Sequence, residues 1–93
     1  MQLRHEELLT SRLEEAALRG CAYISWEELY YWFGVRKIAA GTYRDLARRW
    51  EKVIESVKAS GQTRHWSDPG KLQAIESMAG MFILGDKWVK SVE

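Results

Sequence analysis

Apolar side chains along this chain follow two rhythms: a three-to-four-residue step over long stretches, and short contiguous runs between glycines. From Leu3 to Arg19 the stripe Leu9, Leu13, Ala16 and Ala17, flanked by Leu8 and Leu18, predicts a helix that Gly20 ends in a left-handed turn. The run "CAYI", Cys21 to Ile24, is rich in strand formers and predicts a brief extended segment, with Cys21 as a small core residue. In "ISWEEL", Ser25 and Glu28 stand at capping-box spacing, and Ile24 and Leu29 stand where a hydrophobic staple closes. A second helix is therefore expected from Trp26 through "WEELYYWF", stopping at Gly34.

"VRKIAAG" then leads to a third helix expected to begin near Thr42, with Thr42 as its cap and Asp45 close to its positive end. Tyr43, Leu46, Trp50, Val53, Ile54 and Val57 recur at helical steps and form its core stripe, leaving Arg44, Arg48, Lys52 and Glu55 on the far side. "ASGQTRHWSDPGK" reads as a loop. Asp68 and Pro69 look like a cap followed by a first-turn proline, and Leu72, Ile75 and Met78 extend that start into a fourth helix ending at Gly80. In the tail, "MFILGDKWVKSV", two β-rich runs flank Gly85 and Asp86, which predicts a hairpin turning at those two residues.

A length of 93 residues is that of one domain, residues 1–93, with no internal repeat, low-complexity stretch or linker. An apolar share of 46% with five tryptophans supplies a core, although a chain this short leans on aromatic packing. The fold class expected is mainly α with a small antiparallel hairpin or sheet. One cysteine excludes an internal disulfide and a cysteine-based zinc site within one chain. No apolar run reaches the roughly eighteen residues of a membrane span, and the charged start "MQLRHEELL" is unlike a signal peptide, so the expected location is cytoplasmic.

The overall charge of +1 hides an uneven distribution. Residues 1–35 carry three Arg against six Glu, a net −3; residues 36–65 carry eight Lys or Arg against three acids, a net +5; residues 66–93 carry three Lys against four acids, a net −1. The positive third contains "GTYRDLARRWEKV", and local charge is what a phosphate backbone meets.

Short strand, capped helix "ISWEELYYWFGV", then basic amphipathic helix "AAGTYRDLARRWEKV" resembles the helix-turn-helix class, and a closing hairpin, "FILGDKWVKSV", makes the chain similar to winged helix-turn-helix DNA-binding domains. Bulky Tyr30 replaces the small residue usual in the first helix of that motif, the turn from Gly34 to Thr42 is longer than in its simplest forms, and the expected fourth helix is an addition. The resemblance implies that the third helix enters a major groove N-terminus first, with Thr42, Arg44, Asp45 and Arg48 nearest the bases. It further implies that Arg36, Lys37, Lys52 and Arg64 grip phosphates and that Lys87, at the expected hairpin tip, touches backbone or minor groove. Double-stranded DNA is then the expected partner, in transcriptional control or an excisionase-like accessory role. The competing reading of the same arginines is a solvated face laced with pairs such as Asp45–Arg49.

A second function class rests on Trp26, Tyr30, Tyr31 and Trp32, which are too many aromatics for one face of a short helix. Exposure of Tyr30, Tyr31 and Trp32 would offer a surface to a protein partner or a second copy, as in an adaptor or inhibitor. Trp66, after His65, is expected to lid the core rather than to stack on a base. His5 has Glu6 and Glu7 nearby but no second His or Cys at ligand spacing, so no metal, cofactor or small-molecule substrate is expected. No nucleophile elbow, phosphate-binding glycine loop or HExxH motif occurs, and the two histidines lie about sixty positions apart, so the chain reads as a binder and not an enzyme.

Overall fold

Local signals place the first two helices where the sequence puts them, and the strand between them one residue later than expected. In the computed structural model, which describes residues 1–61 and 65–90, helix α1 spans Leu3–Arg19, strand β1 Ala22–Ser25 and helix α2 Trp26–Phe33. Gly20 and Gly34 close the two helices at φ 103° and 65°, a left-handed conformation that side chains resist. Both halves of the capping box are made: the Glu28 amide donates to Ser25 Oγ, and the Ser25 amide donates to Glu28 Oε1, each at 3.1 Å. Ile24 and Leu29 on either side of it are fully buried.

Helix α3 spans Ala40–Ala59 and begins two residues before Thr42. Its N-cap is Ala39, which offers no side-chain acceptor, so Thr42 lies inside the first turn and caps nothing. Leu46, Trp50, Val53, Ile54 and Val57 bury the predicted stripe, with Tyr43 packed at its margin.

The fourth helix does not form. Residues 72–76 are strand β2, Leu72–Glu76, which pairs antiparallel with strand β3, Gly80–Gly85. Asp68 is not a helix cap either; its Oδ1 accepts from the Gly70 amide at 2.9 Å, turning the chain into β2. The hairpin therefore sits one element earlier than expected and turns at residues 77–79. Gly85 ends β3, and Asp86 opens the short 3-10 helix Asp86–Trp88.

Strand β3 lies between β1 and β2, giving a three-stranded antiparallel sheet of order β1-β3-β2. All three helices pack on one face of it, around Leu9, Leu13, Ile24, Leu46, Trp50, Met81 and Ile83. Three indoles tie loops to this core: Trp50 Nε1 donates to the Gly70 carbonyl at 2.9 Å, Trp66 Nε1 to Ala17 at 2.7 Å and Trp26 Nε1 to Ser77 at 3.0 Å. Trp66 is thus a core lid, as read from sequence. Cys21 is exposed, because the strand begins at Ala22 and its inward positions are Ala22 and Ile24. The result is a mainly helical domain with a small antiparallel sheet, and its element order is compatible with a winged-helix architecture.

Candidate nucleic-acid interface

Burying five apolar residues of α3 turns the opposite side of that helix outward, where Arg44, Arg48, Glu51, Lys52 and Glu55 are exposed. The cations of this face are not equivalent. Asp45 accepts from Arg48 and, at 2.7 Å, from Nε of Arg49. Burial pushes the Asp45 carboxyl up, but the hydrogen bonds from Arg49 and Arg48 outweigh it and hold the group below the ordinary 3.8. Arg49 also reaches Glu6 of α1 at 3.5 Å and is mostly covered, so it serves the α1–α3 contact. Arg48 shares Asp45 yet leaves 64% of its side chain in solvent. Arg44 and Lys52 enter no ion pair among the described residues.

The connection from α2 to α3 adds Arg36 and Lys37, both exposed and equally without an ion pair among the described residues. It delivers the chain to Ala39, Ala40 and Gly41, three small exposed residues at an N-terminus whose first amides have no side-chain cap. The positive charge is thereby concentrated on the first half of α3 and the loop before it. Farther along, Glu51 and Glu55 line a groove of about 480 Å³ floored by Trp50, Ile54 and Leu72, with Asp68 and Lys87 at its rim.

Other residues expected at this interface are placed differently from the expectation, Lys87 across the groove from Glu51 and Glu55 instead of at a hairpin tip. Lys87 is exposed on the 3-10 helix after β3, at the end of the sheet remote from the hairpin turn. Its displacement follows directly from the shifted hairpin. The real turn, residues 77–79, reads Ser-Met-Ala and carries no cation. It does not project either: Ser25 pairs with Gly80, and the Trp26 amide donates to the Ala79 carbonyl at 3.1 Å while its indole holds Ser77. Thr42 is half-buried, and Arg64 lies outside the described residues.

The aromatic surface is smaller than the sequence implied. Trp32 is in the core, where it also lies under the Arg12 guanidinium at 5.6 Å, and Tyr30 is half-buried. Only Tyr31 of the three is exposed, its ring tilted at 57° to that of His5 with 4.7 Å between centroids. The cause is the two-turn length of α2: Leu29 and Trp32, three apart, face inward together, which turns Tyr31 out.

Sequence reasoning passed over Arg12, which donates to the Tyr23 carbonyl at 2.8 Å and to Glu28 Oε2 at 2.6 Å, joining α1, β1 and α2. It also passed over the Tyr43 hydroxyl, which donates to Glu76 and joins α3 to β2. Neither pair leaves a local sequence signal, since the partners are sixteen and thirty-three positions apart. Among the described residues no three His, Cys, Asp or Glu side chains gather as metal ligands, and no helix is long and apolar enough to cross a membrane. Comparison with known protein families, with curated proteins and with solved structures finds no match to this chain.

Proposed function

We propose that this chain is a winged-helix-like binder of double-stranded DNA, acting as a transcriptional regulator or an excisionase-like accessory factor through the first half of α3. The observation that carries this reading is the outward placement of Arg44, Arg48 and Lys52 on one helix face, with Arg36 and Lys37 exposed in the loop that precedes it. A helix with a packed back and a cationic front is the element a major groove admits. In this arrangement Arg44 and Arg48 reach base edges, where a guanidinium suits bidentate donation to guanine. Arg36, Lys37 and Lys52 meet phosphates, and the uncapped amides at Ala40 and Gly41 face the same anionic backbone. The trimmed hairpin makes no contribution, so recognition rests on helix and loop.

Fluorescence anisotropy against mixed-sequence duplexes at two salt concentrations tests the reading. Releasing about four to five counterions gives a log–log salt slope near −4. Arg44→Ala with Arg48→Ala is expected to weaken binding by roughly ten- to a hundredfold or more, whereas Lys87→Ala leaves it nearly unchanged. Salt-insensitive binding, or full retention by the folded arginine double variant, contradicts the proposal.

A further inference from the structure

The sheet has two unlike faces. Ala22, Ile24, Met81 and Ile83 point inward and are buried beneath the helices. Strand alternation points Tyr23 and Ser25 of β1, Gly80, Phe82 and Leu84 of β3, and Gln73 and Ile75 of β2 the other way. None of these seven is charged. The registers pair Tyr23 with Phe82 and Phe82 with Ile75, so three large apolar side chains form one row across all three strands. The rings of Tyr23 and Phe82 lie 5.0 Å apart at 52°, and Tyr23, Phe82 and Ile75 remain 37%, 42% and 46% exposed. Met78, on the adjoining turn, is 98% exposed. A sheet with one solvated face ordinarily lines it with polar side chains; an uninterrupted apolar row marks a face that is covered.

We propose that this outer face is a self-association surface, on which a second copy of the chain packs sheet against sheet. Charge and area select that occupant. An acidic or basic partner finds no complementary group on the seven outward positions. A two-fold contact, by contrast, sets the face against its own image, and a face without charge does so without like-charge repulsion. Side chains of this size offer on the order of 200 Å² each when bare, so the four exposed fractions leave about 450 Å² of apolar surface per copy. That is over half of the roughly 800 Å² per partner in a standard interface, and homodimers are the class with the more apolar contact. Strand addition at β1 is disfavoured, because Arg12 already occupies the Tyr23 carbonyl on that free edge. The contact is independent of the DNA reading: it uses the side of the sheet away from the helices, and Arg44 and Arg48 stay exposed.

Sedimentation equilibrium of the full chain over a wide concentration range, with Phe82→Lys, Ile75→Lys and Met78→Lys variants, tests it. The wild-type mass is expected to rise from 10.8 kDa toward twice that value. Phe82→Lys, which brings like charges together across the two-fold, is expected to weaken association at least about tenfold with an unchanged far-UV spectrum. Ile75→Lys and Met78→Lys, farther from the centre of the row, give smaller shifts in the same direction and serve if Phe82→Lys does not fold. A wild-type chain that stays at monomer mass overturns the proposal, including one that partitions onto neutral phosphatidylcholine vesicles instead. Association that all three folded variants retain also overturns it.

Discussion

Trp32 leaves 5% of its surface in solvent, whereas its chain neighbour Tyr31 leaves 65%. Truncating the first opens a core cavity beside the Arg12 guanidinium, and truncating the second removes a ring that water already touches. Trp32→Ala should therefore cost about 3–5 kcal/mol, and Tyr31→Ala within roughly 0.5–1 kcal/mol, as read by urea unfolding. Equal costs would mean that α2 is rotated from the position described. Which of the two faced inward was not legible from eight residues of helix, since five aromatics satisfy the apolar pattern in more than one rotation. Cys21 shows the same limit at a strand, where a one-residue shift of the start exchanges core for solvent.

Elements whose ends are chemically marked were legible, and those defined by pairing were not. The end of α1 and both ends of α2 follow from Gly20, Gly34 and the Ser25–Glu28 box, all of which act within a few residues. Ser25→Ala should lower stability by about 0.5–2 kcal/mol, visible as a drop of several degrees in the thermal midpoint; an unchanged midpoint would show that packing alone holds α2. Helix α3 lacks such a mark, and its start at Ala40 instead of Thr42 reflects an uncapped end. The segment after Pro69 is the larger error. Leu72, Ile75 and Met78 keep helical spacing, yet Leu72 and Ala74 also alternate, and the unpaired edge of β3 offers that segment a ladder of hydrogen bonds. Context decided between two patterns present in the same residues, and with the hairpin one element earlier Lys87 sits on the 3-10 helix after β3 instead of at the hairpin tip.

Across the whole molecule, ion pairs reinforce contacts that the core already makes between elements, and they set how stability varies with pH. The Arg12 hydrogen bond holds Glu28 below the ordinary 4.5, and Lys58, then the Gly70 amide, hold Asp68 below 3.8. A carboxyl lowered by folding stabilises the protein above its unfolded pKa and loses that contribution as pH falls through the folded value. Tyr43 has the opposite sign: burial first, then Glu76, push its hydroxyl up to about 12, so its contribution is complete below pH 10 and fades toward 12. Thermal midpoints are thus expected to be level from about pH 5 to 10 and to fall on either side. Glu28→Gln should give a shallower acid limb, and an acid limb identical to wild type would remove Glu28 from this account. What the amino-acid order determined on its own was local: two helical stripes, one capping box, glycine stops and a positive middle third, each set by residues within a turn or two of one another. What only the tertiary structure decided was which strands pair, which rings face out, and which cations stay unpaired, because those depend on partners far apart in sequence that compete for the same backbone groups and the same core.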